Sequence, residues 1–154
     1  MSDFYTGAGA TFSISAAAPA TYDSTGYAAL TFTPVGKVTN IGDVPSRVYQ
    51  KVDLAFLASR AMSKAKGGYD LGNQSVTYAY DPADAGQILA NTATNSDVVY
   101  SIRVFHPTLG TIYARALIMG GPITYGDNNT PATKKIDVEY TAANTTTDGV
   151  VIVP

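Results

Sequence analysis

The chain has 154 residues and a formal net charge of −2, a length that fits a single domain. Charged residues make up 14% of it, against about 25% in an average globular domain, so its surface is thinly charged. This balance excludes a global basic field for nucleic acid, and the absence of cysteine excludes disulfides and thiolate metal sites.

The start, "MSDFYTGAGATFSIS", has neither a basic n-region nor a long apolar run, so it does not read as a signal peptide. No stretch approaches the ~20 apolar residues of a membrane span, and a soluble cytosolic product is expected. Residues 1–10 read as an N-terminal arm. Strands are predicted at "ATFSIS" and "YAALTFTPV". In "RVYQKVDLAF", period two places Val48, Val52, Leu54 and Phe56 on one face, with Tyr49, Lys51 and Asp53 on the other. Residues 58–73, "ASRAMSKAKGGYDLGN", read as a long loop, and such loops are usually functional or disordered. "QSVTYAY" then sets Val76, Tyr78 and Tyr80 opposite Ser75, Thr77 and Ala79.

One short helix is predicted over residues 82–91, in "DPADAGQILANTA". Asp81 is its expected N-cap, Pro82 its first helical residue and Asp84 its capping-box acid; Ala85, Ile88 and Leu89 form the apolar face. "DVVYSIRVFH" places Val98, Tyr100, Ile102 and Val104 opposite Ser101 and Arg103, and "HPTLG" turns it back into "TIYARALIM" as a hairpin. Residues 120–134 are turn-rich. "KKIDVEYT" and "GVVIV" complete the strands, within and beside a C-terminal arm over 142–154. Glutamate occurs once, and the frequent threonine, valine and tyrosine favour strands. The expected fold is mainly β, a single sandwich or barrel-like domain with one flanking helix.

Charge is uneven along the chain. Residues 47–66 carry Arg47, Lys51, Arg60, Lys64 and Lys66 against Asp53, whereas residues 67–102 carry Asp70, Asp81, Asp84 and Asp97 with no Lys or Arg. The two segments either pair within one subunit or draw one copy to the next.

Residues that announce chemistry are scarce. His106 is the only histidine, which rules out a multi-histidine metal site, and its place before Pro107 at the hairpin turn fits a structural role. Helix capping explains Asp81 and Asp84 without acid–base work. "YGDNNT" lacks the spaced acids of a calcium loop, and neither "GAG" at 7–9 nor "KGG" at 66–68 has the spacing of a phosphate loop. Arg60, Lys64, Lys66, Gly67, Gly68 and Tyr69 read as a solvated or subunit-facing loop rather than a nucleic-acid site. Asp137 and Glu139 share one face of their strand. No catalytic, cofactor or metal residue is expected. A monomeric β-sandwich binding module, for virion decoration or carbohydrate, fits the same strand pattern.

The order "KVDLAFLASR", a long loop with "KGGYDLGNQSVTYAYD", then "DPADAGQILA" and a strand hairpin resembles the major tail tube proteins of long-tailed, non-contractile (siphovirus-type) bacteriophages. The resemblance runs from about residue 39 to 141, with residues 80–87 its most specific part. It implies a structural subunit, not an enzyme. Such subunits form hexameric rings stacked into a tube, the conduit for DNA ejection, and work with tape measure, tail terminator and distal tail proteins. It further implies assembly in the host cytoplasm, a final place in the virion with no membrane contact, and a lumen through which DNA slides without specific binding. Asp137 and Glu139 are then the candidate lumen-facing residues, and residues 58–73 the candidate contact between subunits.

Overall fold

The structure, a computed structural model, describes residues 4–154; the first three residues of the predicted N-terminal arm lie outside the described residues. In chain order its elements are β1 (Thr11–Ser15), α1 (Ser24–Ala28), β2 (Thr33–Pro34), β3 (Val38–Asn40), β4 (Val48–Ala55), β5 (Met62–Asp70) and β6 (Asn73–Ala79). There follow α2 (Ala85–Thr94), β7 (Tyr100–His106), β8 (Gly110–Gly120), β9 (Ile123–Thr124), β10 (Thr133–Thr141) and β11 (Val151–Val153). The mainly β expectation therefore holds.

Period-two alternation does in the main sheet what the sequence predicts. Strand β10 buries Ile136, Val138 and Tyr140 and turns Lys135, Asp137 and Glu139 the other way. Its partners match it, with Ile136 opposite Val76 on β6 and Val138 opposite Ile118 on β8. On the other side of β8, Ile102 of β7 lies between Ala114 and Ile14 of β1. The strands run β2-β1-β7-β8-β10-β6-β3 across the sheet, all antiparallel. Inner-face residues of β1, β6, β7, β8 and β10 belong to one buried cluster, so the sheet curls around a common core. Burying each large aliphatic side chain there contributes about 1.5–3 kcal/mol. Strand β8 makes the curl possible. Thr111–Tyr113 pair with β11, Arg115–Ile118 and Gly120 pair with β10, and the β10 ladder slips between Asp137 and Val138.

The helix over 82–91 exists, but its start and face are shifted. Asp84, not Asp81, is the N-cap of α2: its carboxylate accepts from the backbone N–H of Gln87 at 3.0 Å. Both aspartates are good caps in isolation. Tertiary contacts decide between them: the Asp84 carboxylate also accepts from the Gly36 N–H at 3.0 Å, and Gln87 accepts from the Asp81 N–H at 2.8 Å, which holds Asp81 outside the helix. Asp81 caps the preceding turn instead, accepting from the Ala83 N–H at 3.0 Å, and pairs with Lys37 at 2.9 Å. The buried face of α2 is Gly86, Gln87, Ala90 and Ala93, while Ile88 stands half exposed. Gly86 is where α2 meets β2, and a Cβ there would run into the Pro34 carbonyl and the Val35 Cα.

Two further predictions are corrected. "YAALTFTPV" is not a strand throughout. It begins in α1, capped by Asp23, whose carboxylate accepts from Gly26 N–H at 2.7 Å, and only Thr33–Pro34 pair as strand. Tyr27 fixes this turn against the outer side of the sheet. It is fully buried, stacks on Tyr113 at 5.1 Å and donates to the Gly149 carbonyl at 2.7 Å. Residues 58–73 are not a loop either. Most of them form β5, which pairs back on β4 as a separate two-stranded ribbon. The strand was hidden because its sequence, "MSKAKGGYD", alternates lysines with serine and alanine rather than with large apolar residues, and two glycines interrupt it.

Candidate functional site

The β4–β5 ribbon differs from the rest of the molecule in that, among the described residues, nothing covers it beyond its base. All eight residues of β4 are exposed, and so is β5 apart from Gly67. The two strands pack extensively only on each other. An isolated two-stranded hairpin is marginally stable in water.

Register assigns the side chains to two faces, since residues directly opposite share a face. Lys51 opposes Lys66, Asp53 opposes Lys64 and Ala55 opposes Met62, giving a basic face with Asp53 between the lysines. Lys51 reaches Asp53 at 3.4 Å. On the other face Val52 opposes Ala65 and Leu54 opposes Ser63, giving an apolar stripe that continues into Phe56. Val52, Leu54 and Phe56 are each at least half exposed, and Leu57 at the tip is fully so. Between Tyr49–Tyr69 and Lys51–Lys66 the ladder takes two steps on β4 and three on β5, so Gly67 and Gly68 form a bulge. Beside it Tyr49 and Tyr69 lie 5.0 Å apart, and the Lys66 ammonium sits 5.0 Å above the Tyr49 ring. Arg60 is exposed in the tip.

The base of the ribbon is tied down by residues distant in sequence. The Arg47 guanidinium donates to Asp148 at 2.6 Å and the Tyr69 hydroxyl donates to the same oxygen at 2.8 Å. Arg47 also lies over the Tyr69 ring, and the Ser46 N–H donates to the Leu71 carbonyl at 3.2 Å. The Asp148 side chain is only 8% exposed. Burial pushes its carboxyl up, but the Arg47 and Tyr69 hydrogen bonds outweigh that and hold it below the usual carboxylate value. The hydrogen bond to Asp148 and burial push the Tyr69 phenol up. Arg47 was legible only as a charge; Asp148 had no local signal at all, because its partners lie 101 and 79 residues away.

The other predicted residues are placed as follows. Asp137 and Glu139 lie on the sheet face turned from the core, both half-buried, and Asp137 accepts from the Ser75 hydroxyl at 2.8 Å. Among the described residues no ion pair joins Arg60, Lys64 or Lys66 to Asp70, Asp81, Asp84 or Asp97. His106 organises its turn: its Nδ1 accepts from the Thr108 and Leu109 N–H groups at 3.1 and 3.0 Å. Nε2 therefore carries the proton and donates to the Thr6 carbonyl at 2.8 Å, pinning the N-terminal arm. Among the described residues no group of three or more His, Cys, Asp or Glu is arranged to hold a metal ion, and no helix is long and apolar enough to cross a membrane.

No protein-family model and no curated protein matches the chain. Solved structures do. A chain of the native gene transfer agent virion superposes with a TM-score of 0.64 at 14% identity, over 98% of this chain and 100% of that one. A chain in the tail of the empty gene transfer agent particle, refined with C6 symmetry, gives 0.59 at 15% identity over 83% and 90%. A chain of the anti-feeding prophage baseplate, 6-fold symmetrised, gives 0.61 at 8% identity over 92% and 94%. The chain shares its fold with components of phage-like tail particles.

Proposed function

We propose that this chain is the structural subunit of a phage tail tube of the long, non-contractile (siphovirus) type. Copies assemble in the host cytoplasm into hexameric rings, the rings stack into the tube of the virion, and DNA passes through the lumen during ejection. Tape measure, tail terminator and distal tail proteins are its partners, and it performs no catalysis.

The observation that carries this reading is the β4–β5 ribbon. A long two-stranded arm with an apolar stripe and a basic face, uncovered on both sides, is an aggregation hazard in a monomer and a joint in an assembly. The likeness to chains from six-fold symmetric particles supports the ring. Arg60, Lys64, Lys66, Gly67, Gly68 and Tyr69 belong to this arm, and their charge guides register more than it adds affinity, since exposed pairs contribute about 0–1 kcal/mol each. Asp137 and Glu139 line the lumen in this reading, where carboxylates keep DNA phosphates from being gripped.

Size-exclusion chromatography with negative-stain microscopy tests the proposal. The purified chain is expected to form rings and tubes. Replacing residues 50–68 by a short Gly/Ser turn keeps Arg47, Tyr69 and Asp148 and leaves a folded monomer without tubes. A chain that stays monomeric at high concentration would overturn this reading and favour the binding-module alternative. A tube reconstruction with both carboxylates away from the channel would remove Asp137 and Glu139 as lumen residues.

A further inference from the structure

An open groove of about 950 Å³ lies at one end of the curled sheet. Strand β8 gives its direction: Gly120 lies against Thr94 of α2, whereas Gly110 and Ile112 at the other end line the groove. Its apolar lining is Val38, Ile41, Val44, Val104, Leu109 and Ile112. Val104 is part of the core cluster, and Val38 and Ile41 pack against it, so the groove is an opening onto the core itself. Leu109 is 59% exposed.

We propose that this groove is the seat for the β4–β5 hairpin of a second copy of the chain, with Phe56 and Leu57 as the inserted side chains. Each copy then offers an apolar arm at one place and an apolar opening at another. Charge favours this occupant. Among the described residues Asp43 is the only carboxylate lining the groove and no Lys or Arg lines it, and His106 there is committed to its turn and to Thr6. The hairpin brings Lys51, Arg60, Lys64 and Lys66 against Asp53 and, at its base, Asp70. The backbone favours it too. Strand β3, one wall of the groove, ends the strand order of the sheet, so its free edge can accept an added strand while side chains fill the opening. Reach is sufficient: eight residues of strand extend about 26 Å, whereas the radius of gyration of a domain of this length is about 15 Å. Joining two different patches in this way is heterologous, and such contacts propagate into closed rings or open filaments rather than stopping at a dimer.

The inference rests on the self-assembly reading, and cross-linking separates the two. The chain contains no cysteine, so Leu57→Cys and Leu109→Cys each introduce a single thiol at an exposed position. A short bis-maleimide tolerates a pose that the narrow geometry of a disulfide does not. Under assembly conditions, a mixture of the two variants is expected to give covalent dimers, each variant alone almost none, and the double variant a ladder of multimers. Tubes that form without Leu57–Leu109 cross-links would give the groove another occupant and overturn this inference while leaving the tube. A double variant that closes within one chain would assign the groove to its own hairpin and overturn it as well. A chain that never assembles overturns both readings. As a second readout, Leu109→Arg should raise the critical concentration about tenfold or more, the scale of losing one well-packed anchor. Leu109→Met should leave it within about twofold, and equal behaviour of the two would also sink the inference.

Discussion

The molecule contains two long β-hairpins of similar sequence pattern and opposite fate. In β7–β8, alternation buries Tyr100, Ile102 and Val104 on one side, and Ala114, Ala116 and Ile118 complete the same core. In β4–β5, alternation is just as clear on β4, yet Val52, Leu54 and Phe56 remain in solvent. Periodicity therefore reports the strand and the existence of an apolar face. It does not report what covers that face. For β7–β8 the cover is supplied by β1, β10 and α2; for β4–β5 the described residues supply none for the apolar stripe, which is the physical reason to look to other copies.

Truncating an apolar residue in each hairpin exposes the contrast most sharply. Ile102→Ala should destabilise the monomer by about 2–5 kcal/mol in denaturant unfolding, as expected for a cavity in a packed core. Leu54→Ala should change monomer stability by no more than about 0.5 kcal/mol, yet impair assembly. Equal losses of monomer stability would show that the ribbon is packed in solution after all.

Next in size is the packing that closes the core. Gly86→Ala forces α2 away from the β2 backbone and should cost about 1–3 kcal/mol, measurable as a lowered unfolding midpoint, with no comparable effect from Gly68→Ala, whose Cβ would meet open space.

The anchor of the ribbon comes third and carries a pH dependence. The folded-state Asp148 carboxyl is held below its ordinary value, so its stabilisation is present above about pH 4 and is lost as pH falls through the folded value. Hydrogen exchange of β5 amides in the monomer should quicken in acid before those of β8. Asp148→Asn should remove that acid response and cost about 1–3 kcal/mol of local stability. An unchanged acid response in the variant would show that Asp148 is not the anchor.

Much of the fold was legible. Strands β1, β6, β7, β8, β10 and β11, the β7–β8 turn and the existence of α2 follow from alternation and capping chemistry, whereas the two- and three-residue strands β2, β3 and β9 do not. The start of α2 was misplaced because two aspartates compete three residues apart, and the choice between them depends on Gln87 reaching Asp81, Gly36 and Ala79 together. The five-residue α1 escaped because a single turn has no period to read and is held by Tyr27 against residues far along the chain. Of the candidate site, residue types and charges were visible and the conformation was not: "MSKAKGGYD" looks like a loop because its lysines alternate with serine and alanine rather than with large apolar residues and a glycine bulge interrupts it.

The tie between Arg47 and Asp148 also sets an order of events. At a synthesis rate of about 5–20 residues per second, the completed ribbon is made roughly 4–16 s before its anchor. It can close on itself from local contacts early, but its direction relative to the core is fixed only when Asp148 arrives. We expect nascent chains halted before Asp148 to show native-like protection in β7 and none at the base of β5; protection there would refute this timing. An arm aimed only after Asp148 is made offers no correctly oriented joint to other growing chains, so polymerisation is held back until Asp148 has joined the fold.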